Sequence, residues 1–310
     1  MSDPKIIREI QLADLEVLHA FDEVCRQNGI AYFADSGCLL GAVRHGGFIP
    51  WDDDIDLGIL REDFEKLKSL PKEAWGNKIE FVTAGDDDLR HDKIFSRVYL
   101  KNSKIQSYDD VENWIDPTTG KAWNTSVLID LYIFDTIPDD EREYRTVKRI
   151  ADRTRKAYKG CRLQANYKTA SGIRRIKRFY RYLHGKISRT IWENPCGRLD
   201  ARLTAAIKKC SKGTRLGCFY CTFPGFVLTW DDIFPLQTAK FEDMMIPIPH
   251  HTDRYLTMNY GSDYMTPPPE NERFHVKFIY ALLPDGKEFI IDPIPGSLGE
   301  KAMKRRNPEC

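Results

Sequence analysis

The 310-residue chain is 42% hydrophobic and 30% charged, with a formal net charge of +1. That composition supports a sizeable core and excludes a disordered or fibrous chain. No run approaches the ~18–20 uninterrupted apolar residues of a membrane span. Met1 to Glu9 also lacks the apolar core of a secretory leader, so a cytoplasmic location is expected.

In chain order, residues 4–28 place Ile6, Ile7, Ile10, Leu15, Leu18, Phe21 and Cys25 at helical spacing, and Gly29 offers a stop. Ile30 to Ala34 reads as a short strand entering the turn Asp35-Ser36-Gly37. A helix over 38–45 and a loop around Gly46-Gly47 and Pro50 follow. Ile55 to Ile59 predicts a strand and Arg61 to Leu70 a helix. Lys78 to Thr83, Ile94 to Leu100 and Ser126 to Phe134 predict further strands. The alternation implies an α/β or α+β core over residues 1–140: a mixed sheet flanked by helices.

Residues 141–216 differ, with 23 Lys and Arg against 5 Asp and Glu. Their helical periodicity predicts a basic helical region containing the run Arg174-Arg175-Ile176-Lys177-Arg178. Such a face meets an anionic partner (membrane head groups, a polyanionic glycan or nucleic acid) or is simply solvated. Residues 217–295 return to mixed composition and are expected to pack on the core. Residues 296–310 form a polar tail expected to fray. The eight cysteines lack a secreted-scaffold pattern and read as reduced. Cys218-x-x-Cys221, with Cys210 nearby, lacks a spaced histidine partner. Burial as small apolar residues is the reading favoured over zinc.

The chemistry centres on Asp52-Asp53-Asp54-Ile55-Asp56. Four carboxylates in five residues repel one another, and a fold that holds them together usually offsets the charge with a cation. If Asp54 and Asp56 flank Ile55 on a strand, they point to one face while Ile55 points into the core. Two carboxylates on one face suit Mg²⁺, which takes oxygen ligands and leaves sites for phosphate oxygens. Asp130 interrupts the apolar run Ser126 to Phe134; its burial makes sense if it faces the same cation or pairs with an arginine such as Arg97. The turn at Ser36 and Gly37 offers backbone N–H groups and a helix N-terminus to a phosphate. An Asp-x-Asp strand beside a strand bearing one Asp resembles the carboxylate pattern of the nucleotidyltransferase fold.

The segment from Ser36-Gly37-Cys38-Leu39-Leu40-Gly41 through Arg44-His45-Gly46-Gly47-Phe48-Ile49-Pro50-Trp51 to Asp56 resembles the signature of the LicD family. Tyr260-Gly261, Tyr264 and Pro267-Pro268-Pro269 resemble its C-terminal block, and Lys93 to Arg97 its basic strand. Where the family usually has Gly-Thr, this chain has Gly37-Cys38. Members transfer phosphocholine from CDP-choline to bacterial surface glycans of lipopolysaccharide or teichoic acid type, and fukutin-related proteins share the core.

The resemblance implies Mg²⁺ (or Mn²⁺) held by Asp54, Asp56 and Asp130, with Asp130 also orienting or deprotonating an acceptor hydroxyl. The residues themselves suggest phosphate contacts from Ser36, Gly37, Arg44, Lys93 and Arg97. The expected partners are a CDP-linked donor and a glycan acceptor that is free or membrane-linked. The basic segment is available for peripheral contact with the inner face of a membrane. His45 reads as an acid–base group or a solvent-facing residue, and Trp51 as a stacking platform or core anchor. Alternatives are transfer of ribitol phosphate or of a nucleotide by the same carboxylates. From another class, the chain would be a non-catalytic polyanion- or glycan-binding protein. No nucleic-acid motif is present, so nucleic acid is not an expected partner.

Overall fold

The computed structural model describes residues 4–306 except 87–95, 117–118, 163, 193, 221–226 and 274–275, with the side chains of 159–162 also left aside. Helix α1 (Pro4–Gln27) forms because its apolar residues share one face; Ile10, Val17, Leu18 and Phe21 are fully buried. It leads into β1 (Phe33–Ala34), α2 (Ser36–His45), β2 (Ile55–Leu60), α3 (Arg61–Ser69) and β3 (Ile79–Val82). Next come β4 (Ser96–Leu100), β5 (Lys104–Ser107), α4 (Tyr108–Asn113), β6 (Trp114–Ile115) and the long β7 (Leu128–Ile137). The basic region folds as α5 (Glu141–Arg162), β8 (Gln164–Ala165), α6 (Gly172–Ile191) and α7 (Pro195–Lys208). The remainder is β9 (Arg215–Gly217), β10 (Leu228–Thr229), α8 (Trp230–Ile233), β11 (Gln237–Phe241), β12 (Met244–Ile248), α9 (Thr252–Tyr260), β13 (Phe278–Leu282), β14 (Glu288–Ile290) and α10 (Leu298–Arg306).

The main sheet runs β1-β2-β7-β4-β3, with β9 on the far part of β7 and β10 beyond it. Only β2 and β7 pair in parallel; the other neighbours are antiparallel. The chain is therefore a mixed α/β protein of the α+β type, as the alternation of elements predicts. Helix α1 packs on β4 and β7, and α2 lies beside β2. Hairpin β11–β12 sits against α2 and β1, while β5, β13 and β14 form a smaller sheet. In the basic region α5 packs on α7 and α6. A bidentate pair from Arg61 to Asp135, Nε and a terminal nitrogen each at 2.9 Å, ties α3 to β7.

Most expected elements recur with shifted ends. The strand expected over 30–34 shortens to Phe33–Ala34, and the second helix starts at Ser36 rather than 38. The tail expected to fray instead carries α10. Ala302 is buried against the cluster of Ile279 and Tyr280, and the Ser297 hydroxyl accepts from the Glu300 N–H at 3.0 Å. Arg305 and Arg306 both reach Glu288, at 2.7 and 3.0 Å. A hydroxyl at the helix start, one small buried residue and two cations near the end suffice to hold it.

Candidate active site at the parallel strand pair

Strand register builds the site. Asp56 on β2 lies opposite Asp130 on β7, and Asp130 lies opposite Arg97 on β4. Residues in one such row share a face of the sheet. The alternating Ile55, Leu57, Ile129 and Leu131 take the other face and are fully buried. Asp54 precedes β2 by one residue. Carboxylate oxygens of Asp54, Asp56 and Asp130 all lie within 4.8 Å of one another. The structure thus brings together the three carboxylates singled out from the sequence. Their all-oxygen donor set, on two neighbouring strands, fits a hard divalent cation such as Mg²⁺ or Mn²⁺.

Arg97, expected to face phosphates, is 3% exposed and donates its Nε to Asp130 Oδ1 at 2.6 Å. Asp130 is 2% exposed. A buried carboxylate on an apolar strand is costly unless paired, and this guanidinium supplies the pairing. Asp130 thus both joins the carboxylate cluster and pairs with Arg97. Lys93 lies outside the described residues.

The turn before α2 is held tightly. Asp35 caps the helix, accepting from the Ser36 N–H at 2.6 Å and from the Tyr255 hydroxyl at 2.6 Å. Its own N–H donates to the Asp56 carbonyl at 3.0 Å, which fixes α2 beside β2. Ser36 adopts a φ of 45°, a left-handed conformation that a non-glycine residue keeps only when its surroundings impose it. A Cβ on Gly37 would stand 2.4 Å from Asp52 Oδ2, so the absence of a side chain lets Asp52 approach the turn. Cys38, where the resembling family usually has threonine, is 3% exposed and contributes packing. From α1, Gln11 Nε2 donates to the carbonyls of Ile49 (3.1 Å) and Asp52 (2.9 Å), so the loop before the aspartates is pinned.

Electrostatics mark the same place. Burial, then repulsion from Asp54, pushes the Asp52 carboxyl up to about 7. Burial pushes Asp14, on the inner face of α1, well above the carboxylate range, with Asp54 and Asp53 adding to it. Burial also raises the Cys38 thiol, and Asp56 and Asp52 raise it further. The Tyr260 phenol is raised by burial and then by Asp35, Asp52, Asp56 and Asp54. Burial is the first cause in all four groups, and in each the neighbouring aspartates add to it; a divalent cation would relieve that second, electrostatic part.

A cationic and aromatic wall adjoins it. Arg44 donates to the Tyr264 carbonyl at 2.7 Å, and its guanidinium lies 5.9 Å from the Trp51 ring centroid. Arg273 stacks on the same ring at 4.2 Å. Burial lowers the Arg44 pKa and Arg273 lowers it further, while the Tyr260 phenol opposes this. Two guanidiniums converging on one indole suit an anionic ligand. Trp51 is thus a platform for arginines. His45 is exposed, meets Trp51 edge-on at 6.2 Å, and is lowered by burial and by Arg44.

The sequence reading missed Arg273, four residues past Pro269 at the end of the Tyr-Gly…Pro-Pro block. It also missed Asp14, a charge on the apolar face of an amphipathic helix. A second group of potential ligands, Asp231, His250 and His251, gathers at the surface, with His251 Nε2 2.9 Å from Asp231 Oδ2. Among the described residues, Cys210 and Cys218 are free thiols and join no such group; Cys221 lies outside them.

Residues 29–126 match the model of the family described as LicD/FKTN/FKRP, nucleotidyltransferase domain. The chain is 23% identical over 284 residues to the lipopolysaccharide cholinephosphotransferase LicD of Haemophilus influenzae, covering 89% of this chain and 98% of that protein. A shorter stretch of 52 residues is 44% identical to the human ribitol 5-phosphate transferase FKRP, 17% of this chain and 10% of that one. An uncharacterized protein of Rickettsia typhi is 58% identical over 71 residues, 21% of this chain and 23% of its own length.

Proposed function

We propose that this chain, whose residues 29–126 match the LicD/FKTN/FKRP nucleotidyltransferase model, transfers a substituted phosphate, phosphocholine in the first instance, from a CDP-linked donor to a hydroxyl of a surface glycan. The observation that carries the reading is the convergence of Asp54, Asp56 and Asp130 within 4.8 Å. These carboxylates would hold Mg²⁺ or Mn²⁺, which when bound neutralises diphosphate charge and polarises the phosphorus under attack.

The chain's own residues supply the rest. Arg44 and Arg273 offer forked donors to a phosphate, and the Tyr260 hydroxyl, which feels the charge of the aspartates and acts electrostatically on Arg44, would be a further donor. Asp130, fixed by Arg97, is oriented to accept a hydrogen bond from an acceptor hydroxyl and aim its oxygen at the distal phosphorus. The new P–O bond forms in line as the bond to the CMP oxygen breaks; the hydroxyl proton leaves to a carboxylate or to water. The 44% identity with FKRP over 52 residues supports a second reading, with ribitol phosphate as the group transferred.

The test is CMP release from CDP-choline and from CDP-ribitol, with and without Mg²⁺. CMP release with either donor, lost in Asp54→Ala, supports the transferase and chooses the donor. Release unchanged in Asp54→Ala overturns the site.

A further inference from the structure

Helix α6 is amphipathic, but it is mounted the unusual way round. Its inward residues are Arg178, Tyr182, Gly185, Ser188 and Arg189. Arg178 anchors it, donating to the Asn113 side chain at 2.7 Å and to the carbonyls of Asn166 (3.1 Å) and Glu112 (3.2 Å), and the rings of Phe179 and Tyr182 pack on Tyr167 with centroids 5.2 Å away. The apolar residues Ile173, Ile176, Tyr180, Leu183, Ile187 and Ile191 face solvent instead, Ile173 and Ile176 at 70% and 69% exposure. They recur at intervals of three and four residues, so at about 100° per residue they form one narrow stripe opposite the anchored face.

Cations border that stripe on both sides: Lys177, Arg181 and Arg174 on one flank, Arg175 and Lys186 on the other, all exposed. Trp192 closes the helix and is exposed as well. Leaving such a stripe in water is unfavourable, and monomeric proteins rarely expose contiguous apolar surface without a use for it.

We propose that α6 is an interfacial helix that lies flat on an anionic lipid bilayer. Its isoleucines would enter the acyl boundary while the flanking Lys and Arg stems reach back to phosphate head groups. Among the described residues no helix is long and apolar enough to cross a membrane, so α6 rests on the surface rather than spanning it. A soluble polyanion would engage the cations and leave the isoleucine stripe wet; a bilayer satisfies both. This attachment does not depend on the identity of the phosphate donor.

The experiment is cosedimentation of the full chain with phosphatidylcholine vesicles, with and without phosphatidylglycerol. Wild type should bind the phosphatidylglycerol vesicles more strongly, and added salt should weaken that binding. The double variant Ile176→Glu/Ile187→Glu should lower partitioning by at least about tenfold. Its circular dichroism should not change, since both side chains are exposed. Three results would overturn the proposal. One is wild type left in the supernatant with anionic vesicles. Another is equal binding by the double variant. The third is a lipid-free dimer, dissolved by the same substitutions, with no affinity for vesicles.

Discussion

Arg97 and Asp130 face each other across β4 and β7 as a buried ion pair, Nε to Oδ1 at 2.6 Å, at the edge of a carboxylate cluster. The guanidinium offsets one of the site's negative charges from inside the sheet. Removing it in Arg97→Met strands the Asp130 charge and should cost about 3–5 kcal/mol of stability. Mn²⁺ should then recover more stability in the variant than it adds to wild type, because the ion takes over part of the neutralisation. Denaturant melts of both proteins, each with and without Mn²⁺, measure this; equal Mn²⁺ increments would separate Asp130 from the cation.

Asp54→Ala and Asp56→Ala should behave differently from Arg97→Met. Each deletes a repelling charge, so the metal-free protein should keep or slightly gain stability. Turnover should fall roughly a thousandfold or more, because the ligand set for the cation is broken. In wild type a divalent cation at a hundredfold its Kd should add about 2.7 kcal/mol. That increment should be lost in both variants, and thermal melts at several Mg²⁺ concentrations would reveal its survival.

Much of this site was legible because its residues break the pattern around them. Asp130 interrupts an apolar strand, and Asp54-Ile55-Asp56 alternates at the period of a strand. Pairing with Arg97 was one of two readings open for Asp130, and the register makes it compatible with the other. Arg273 was not legible, because a lone arginine 229 positions after Arg44 carries no local signal that both will meet on Trp51. Nor was the mounting of α6. Periodicity announces that a helix has an apolar face; only tertiary packing decides which face turns inward.

Two glycines separate function from fold. A Cβ at Gly37 would meet the Asp52 carboxylate at 2.4 Å, a side chain able to swing away; a Cβ at Gly58 would meet the Phe33 ring at 2.2 Å, locked in the core beside Phe134. Gly37→Ala should therefore keep its melting temperature within a few degrees and lose donor binding, as Asp52 moves. Gly58→Ala should lose about 1–3 kcal/mol, with the remaining folded fraction still able to bind donor. Thermal melts beside a donor titration separate the two cases; the opposite ranking in stability would refute the account.

Arg44 and Arg273 both lie against the Trp51 ring, so they should act on the same part of the donor. Each alanine variant should weaken donor affinity by about tenfold, and the pair should fall short of the product of the two effects. Calorimetric titration of the four-member cycle measures the coupling. Strict additivity would mean that the two guanidiniums bind different groups.

Glu242 supplies the pH dependence that can be assigned by sign. It accepts both terminal nitrogens of Arg8, at 3.0 and 2.6 Å, and the Phe48 N–H at 3.1 Å, which clamps the loop leading to the aspartates. The hydrogen bond from Arg8 holds its carboxyl below the ordinary glutamate value. In the unfolded chain that carboxyl titrates near 4.3. The folded state therefore binds the proton less readily, and the stability Glu242 contributes is present above that pH and lost as pH falls through the lower folded value. The pair is partly solvent-exposed, so its worth is about 0.5–1 kcal/mol. Glu242→Gln should lower the melting temperature slightly at pH 7, and the deficit should shrink as pH falls below the ordinary glutamate value and wild type loses the same contribution. Melts across pH 3–7 decide the point: a deficit that persists unchanged at pH 3 would mean that Glu242 acts through packing or its neutral hydrogen bonds, not through its charge.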